Sequence, residues 1–218
     1  MLPRRTLRRG RIGWLGLLAP AAALGIGIVL LRLFAGGPHA LALVGAVATP
    51  VLAAAQWRRA PVALALWVVA WLAGGLTAQF ASVALIVLAA ATVAEVAAAI
   101  APPWSLAAGL VVLCVVDVIL VWGTPQVGPA TTALHQAPLP TAAGHPIPRL
   151  GDATFGSATM GWLDFVAAAL LGVVVTRRMR AAVATGLAAG AWGLLLIITS
   201  IVPATVPTLV GLLASRIR

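Results

Sequence analysis

Long apolar segments, separated by short breaks rich in glycine, proline or arginine, dominate the pattern along the chain. Eight apolar runs occur in the 218 residues, at about 14–34, 40–56, 60–77, 80–100, 104–122, 153–176, 181–201 and 204–214. A helix of about 20 apolar residues crosses the hydrocarbon core of a bilayer. The pattern therefore predicts an all-α polytopic membrane protein with about eight transmembrane helices, of which the eighth is short and interrupted at its start by prolines.

The composition agrees with this prediction and excludes a water-soluble globule. Hydrophobic residues make up 62% of the chain and charged residues 8%, whereas roughly a quarter of a soluble domain is charged. The single cysteine, Cys114, lies in an apolar run, so neither a disulfide framework nor a cysteine-based metal site is possible. No polar segment is long enough for a nucleic-acid site, so the net charge of +10 indicates membrane topology instead.

The arginines, which supply all 14 basic residues, indicate how the helices are oriented. Cytoplasmic loops of membrane proteins are enriched in basic residues. If the arginine-rich N-terminus is cytoplasmic, the clusters after the second, sixth and eighth helices lie on the same side: Arg58 and Arg59, then Arg177, Arg178 and Arg180, then Arg216 and Arg218. Only Arg32 and Arg149 fall outside. We therefore expect both termini in the cytoplasm.

The N-terminal segment has a second interpretation, as a cleavable signal peptide. Its basic start precedes an apolar run, and Ala21-Ala22-Ala23 has the small residues of a cleavage site. The run extends past these alanines and is long for a signal peptide, so we expect a retained first helix.

Residues 123–151 differ from every other connection, because they hold six of the fifteen prolines. Proline removes a backbone donor and clashes in helix interiors, so this segment is predicted to be an external, mobile or polyproline-like loop. Its histidines, His135 and His145, are expected to be solvated rather than metal ligands. The loop belongs to the second of two predicted membrane regions, 1–103 with four helices and 104–218 with the other four.

The four acids are the candidate chemical groups, because ionisable side chains inside a membrane are costly and mark functional sites. They are Glu95, Asp117, Asp152 and Asp164. Each also has a structural interpretation. Asp117 could pair with an arginine or form a polar contact between helices, and Asp152 could cap the helix at 153–176. Asp164 could be a buried protonated acid hydrogen-bonded across the bundle, and Glu95 a packing or polar-contact residue.

Two carboxyl groups a few ångströms apart permit one specific reaction. In a low-dielectric site both cannot ionise, so one keeps a proton. The ionised group can take a proton from water while the neutral group donates one to a peptide carbonyl oxygen. Such a pair hydrolyses a peptide bond without a metal ion or a covalent intermediate. Asp152 and Asp164 differ from Asp117 in membrane depth by about the same amount, so depth does not decide which of them is its partner.

Three short sequences stand in order along the second half of the chain. Residues 117–125 read Asp-Val-Ile-Leu-Val-Trp-Gly-Thr-Pro, residues 150–161 begin with Leu150-Gly151-Asp152, and the third is Pro207-Thr208-Leu209. They resemble, in that order, the first catalytic helix, the GxGD helix and the Pro-Ala-Leu motif of the presenilin and signal peptide peptidase family of intramembrane aspartyl proteases. The sequence departs from the family pattern at Val116, Arg149 and Thr208, where the family has Tyr, Gly and Ala.

The resemblance implies an intramembrane aspartyl protease with Asp117 and Asp152 as its catalytic pair. Leu150 and Gly151 would shape the start of the second catalytic helix, and residues 207–209 the substrate cleft. It implies a presenilin-like bundle with one N-terminal helix fewer than the family, in a bacterial or archaeal plasma membrane. The partners would be membrane lipids and single-span proteins or signal-peptide remnants as substrates, with no cofactor, metal or nucleic acid.

Two other functions remain open on sequence grounds. One is a prepilin-peptidase-like protease, which also uses membrane aspartates but on the cytoplasmic side. The other is a catalytically degenerate scaffold or transporter subunit, in which the acids serve as polar contacts or as a proton path. The three departures from the family pattern favour the second alternative.

Overall fold

The computed structural model describes residues 13–14, 16–18, 22, 26, 29, 36–123, 127–155, 158–199, 201–215 and 217. These residues are mostly helical, which confirms the all-α class. The helices with defined bounds are α1 Gly37–Ala54, α2 Ala60–Leu72, α3 Gly75–Ile100, α4 Pro103–Gly123, α5 Val127–Gln136, α6 Trp162–Val174, α7 Arg178–Gly193 and α8 Val206–Leu213. A short 3-10 helix, Leu194–Ile197, continues α7.

Three of the described helices, α1, α3 and α4, are long and apolar enough to cross a membrane. Such helices indicate a membrane protein. The apolar runs predicted eight spanning helices, whereas only three of the described helices are long enough. The apolar helices α2 and α6 have 13 residues each and are therefore only about 20 Å long. Most of the predicted first helix, its arginine-rich start included, lies outside the described residues.

Prolines and glycines set several of the helix boundaries. Pro38, Pro61 and Pro207 lie in the first turns of α1, α2 and α8, where a helix needs no backbone donor. Gly75 has a positive φ of 60° at the break between α2 and α3, a conformation that glycine adopts without strain. The breaks predicted near 58–61 and 102–103 are confirmed.

Helix α3 lies at the centre of the fold and packs against α1, α2 and α6. Its buried face is mostly alanine, including Ala81, Ala89 and Ala94. Small side chains let neighbouring helix backbones approach closely, which is how helices associate in membranes. The larger buried side chains, such as Leu110 on α4 and Leu170 on α6, close the core on the other side.

Residues 152–155 and 158–161 form two paired β-strands and not the first turns of a helix. Strand β3, Asp152–Phe155, pairs antiparallel with strand β4, Ala158–Gly161, and Asp152 stands opposite Gly161. Helix α6 begins only at Trp162. The predicted helix at 153–176 is therefore wrong at its start, and so is the interpretation of Asp152 as a helix cap. A short apolar strand cannot be distinguished from a helix by hydropathy alone.

The proline-rich segment is also more ordered than the sequence predicted. It contains α5 and a second small hairpin of two strands, β1 Thr141–Ala142 and β2 His145–Pro146. Trp71 on α2 donates a hydrogen bond to the carbonyl of His145 at 3.4 Å, and His39 on α1 contacts the carbonyl of Pro138 at 2.6 Å. The prediction of a mobile or polyproline-like loop is therefore wrong for the described part of this segment.

Candidate functional site

Asp117 joins α4 to the start of α8. Its side chain is half-buried, and its Oδ2 accepts two hydrogen bonds from Thr205, one from the backbone N–H at 3.2 Å and one from the hydroxyl at 2.7 Å. Thr205 immediately precedes α8, and the N-terminus of a helix favours negative charge. The carboxyl group therefore makes the polar contact between helices that the sequence left open for it.

Asp164 lies in the first turn of α6. Its Oδ2 accepts a hydrogen bond from the backbone N–H of Gly161 at 3.1 Å, an arrangement that stabilises a helix start. This hydrogen bond is local and does not cross the bundle as predicted. Asp164 on α6 and Asp117 on α4 lie on helices that pack against each other and against α8. We call the place where these three helices pack together the three-helix junction.

The motif at residues 207–209 forms the first turn of α8. Pro207 and Thr208 are buried, and Leu209 packs against the core. Because Thr205 immediately precedes this turn, the motif lies next to Asp117. The side chain of Cys114, one turn before Asp117 on α4, also contacts Thr205. The Pro-Ala-Leu-like sequence thus adjoins one of the two aspartates assigned to it.

Asp152 has a different environment. Its side chain is only 8% exposed, and its Oδ2 lies 3.0 Å from Nδ1 of His135, which is half exposed. Its other oxygen, Oδ1, is buried and has no hydrogen-bond partner among the described residues. Both side chains line a cavity of about 210 Å³ between α2, α3, the end of α5 and β3. His135 is thus exposed, as expected, and it also contacts Asp152, which the sequence did not predict.

No contact among the described residues joins Asp117 to Asp152. Asp117 contacts the start of α8, whereas Asp152 contacts α5 and faces the cavity beside α3. Their pairing stays a prediction.

Leu150 and Gly151 are held by α1. Leu150 is fully buried, and its carbonyl accepts a hydrogen bond from the Thr49 hydroxyl at 3.0 Å. A Cβ atom added to Gly45 would lie 2.6 Å from the Cα of Gly151, so the two backbones are in close approach. This close approach brings Gly151, the residue before β3, to α1, while β3 itself packs against α3.

Arg149 does not pair with Asp152, although it lies only three residues before it. Its guanidinium donates to the carbonyls of Leu134 at 2.7 Å and Ala137 at 2.6 Å. It thereby binds the backbone carbonyls at the C-terminus of α5, a common position for arginine. The Gly-to-Arg departure from the family motif has a structural role at this helix end.

Glu95 lies far from both sites along the chain and forms an ion pair with Arg59 at 2.9 Å. It also accepts a hydrogen bond from Gln56, so it ties the turn between α1 and α2 to α3. The prediction of a polar-contact role for Glu95 is confirmed. Among the residues that the structure describes, no group of three or more His, Cys, Asp or Glu side chains is arranged to hold a metal ion.

Sequence reasoning missed two residues that contact the acids. Thr205 had a detectable signal, because a threonine just before a helix that opens with proline is typical of a helix start. His135 had none, because its contact with Asp152, 17 positions further along the chain, depends on how the segment between them folds.

Comparisons with protein families, with curated proteins and with solved structures give no match to this chain.

Proposed function

We propose that the chain is a membrane-embedded aspartic endopeptidase that hydrolyses peptide bonds of single-span helices or signal-peptide remnants. The observation that carries the proposal is the placement of Asp117 and Asp164 on two helices that pack together at the three-helix junction, with Asp117 hydrogen-bonded to the start of α8. The junction lies in a chain with long apolar helices, and the motif at 207–209 adjoins it. We therefore assign the second acid to Asp164 in place of Asp152.

In this mechanism the two carboxyl groups share one proton. The ionised carboxylate takes a proton from a water molecule, whose oxygen attacks the peptide carbonyl carbon, while the neutral carboxyl donates its proton to the carbonyl oxygen. The tetrahedral intermediate then breaks its C–N bond. The newly protonated acid gives its proton to the leaving amine, and the other carboxylate takes a proton from a hydroxyl group of the intermediate, so the pair again holds one shared proton. Thr205 positions Asp117 through two donors and leaves its Oδ1 for the water.

The test is cleavage of a single-span helical reporter by the purified chain in lipid nanodiscs, followed by mass spectrometry. Asp117→Asn and Asp164→Asn should each lower the cleavage rate by about 10²-fold or more, because an amide cannot cycle the shared proton. Asp152→Asn should keep most of the activity. The matched control, Glu95→Gln, removes a carboxylate outside both sites and should cleave at the wild-type rate.

Three other results would contradict the assignment of Asp117 and Asp164 as the catalytic pair. Loss of cleavage in Asp152→Asn but not in Asp164→Asn would return the role of second acid to Asp152. If all acid variants cleave equally, neither pair is catalytic. A scaffold or transporter subunit would show no cleavage in the wild type, and it would not be labelled by a photoreactive transition-state isostere.

A further inference from the structure

The cavity beside Asp152 lies outside the three-helix junction and has polar groups from four parts of the chain. Its polar lining comes from Gln79, Ser82, His135, Arg149, Asp152 and Thr154. A single water needs about 10–15 Å³ of such volume. The cavity of about 210 Å³ therefore has room for a small solute.

The buried Asp152 side chain is incompletely satisfied. One carboxyl oxygen contacts His135, but Oδ1 has no partner among the described residues although the side chain is more than nine-tenths buried. A buried polar atom without a partner costs free energy, and the cost is greatest for a charged group. Oδ1 has less than 1 Å² of accessible surface, so the carboxyl group must turn toward the cavity for a ligand's N–H donor to reach it and remove that cost.

A cation and an anion line the same cavity without neutralising each other. Arg149 and Asp152 both contact the last turn of α5, where Arg149 binds the carbonyls of Leu134 and Ala137 and Asp152 binds His135. The ion pairs found among the described residues are Arg59–Glu95 and His135–Asp152. The guanidinium and the carboxylate are therefore neighbours that remain separate.

We propose that this cavity binds a small zwitterion with a primary ammonium group and a carboxylate, the chemistry of a free α-amino acid. The ammonium group donates to Asp152, and the carboxylate accepts from Arg149, whose planar guanidinium can hold a carboxylate beside the two carbonyls that it already binds. The lining carries one formal negative and one formal positive charge, so a zwitterion matches it better than a simple cation or anion. Gln79, Ser82 and Thr154 add neutral polar groups around the ligand.

The experiment is calorimetric titration of the full chain in lipid nanodiscs with glycine, and separately with methylammonium and with acetate. Glycine should bind saturably, and each half-ligand should bind at least about tenfold more weakly, since each lacks one charge-assisted contact. Asp152→Asn should weaken glycine binding about tenfold or more. Glu95→Gln, the same acid-to-amide change outside the cavity, should leave glycine binding unchanged.

Saturable glycine binding that is equal in wild type and Asp152→Asn would overturn the proposal, as would the absence of binding. Equal binding of methylammonium and glycine would show that Arg149 takes no part and would also overturn the zwitterion assignment. Asn is nearly isosteric with Asp, and Arg149→Lys, which keeps the charge, serves as a second variant if Asp152→Asn fails to fold. These results are independent of reporter cleavage, because Asp117 and Asp164 do not line this cavity.

Discussion

At the scale of single residues, the hydrogen bonds between Thr205 and Asp117 link α4 to the start of α8 within the three-helix junction. Thr205→Ala removes the hydroxyl donor at 2.7 Å but leaves the backbone donor. A hydrogen bond to a charged group contributes about 1.5–3 kcal/mol. We expect Thr205→Ala to lower the midpoint of thermal unfolding in detergent and to slow cleavage of the helical reporter.

Thr205→Ser separates the loss of the hydrogen bond from the loss of packing around the buried Thr205. Serine keeps the hydroxyl and removes only the methyl group, so it should restore reporter cleavage even if some stability is lost. Equal cleavage in Thr205→Ala and in the wild type would mean that the hydroxyl does not position Asp117 for chemistry.

At the scale of helices and strands, the close approach of α1 to the start of β3 makes a second prediction. A Cβ at Gly45 would meet the backbone of Gly151, which cannot move as a flexible side chain could. Gly45→Ala should therefore destabilise the protein by about 1–3 kcal/mol and increase amide hydrogen exchange at residues 150–155. Thermal unfolding and exchange mass spectrometry measure the two effects.

The matched control is another helical glycine, Gly190 on α7, around which an added Cβ meets no atom within 4 Å. Gly190→Ala should be neutral or stabilise the protein by up to about 1 kcal/mol, because alanine is the better helix former. If Gly45→Ala behaves like this control, the α1–β3 contact is looser than the structure describes.

The sequence predicts some elements far better than others, for a physical reason. Helices α3 and α4 were expected at 80–100 and 104–122 and occur at Gly75–Ile100 and Pro103–Gly123, because an apolar run of spanning length between prolines permits little else. The hairpin at 152–161 was missed because short strands and helix turns have the same hydropathy. The contacts of Asp117 with Thr205 and of Asp152 with His135 require tertiary structure, which local pattern does not contain.

At the scale of the whole molecule, the two predicted membrane regions share one core. Helix α3, from the first region, packs against α6 from the second, and Ala90, Leu110 and Val166 belong to a single buried cluster. Variants that disturb α3 should therefore affect both the three-helix junction and the Asp152 cavity. The side of the membrane that each of these two sites faces depends on how the short apolar helices α2 and α6 are placed in the bilayer.

The orientation of α6 is the sharpest whole-molecule question, because its 13 residues cover about 20 Å of a hydrocarbon core of about 30 Å. Residues that flank α6 must therefore complete its crossing of the membrane. On one side they form the β3–β4 hairpin, whose backbone groups can lie in a membrane only where protein or water covers them. The buried Asp152 and Ala153 show that β3 is covered. The arginines after α6 also favour a crossing, since basic residues are enriched in cytoplasmic loops and the sequence predicts this loop to be cytoplasmic.

Cysteine labelling with a membrane-impermeant maleimide tests this crossing in intact cells. The unsubstituted chain serves as the negative control and should not be labelled, because its one cysteine, Cys114, is buried. Gln136→Cys and Arg178→Cys place exposed thiols before and after the β3–β4 hairpin and α6. Gln136→Cys should react from outside, and Arg178→Cys only after permeabilisation. If both react from the same side, α6 does not cross, and the orientation inferred from the arginines is wrong for the second half of the chain.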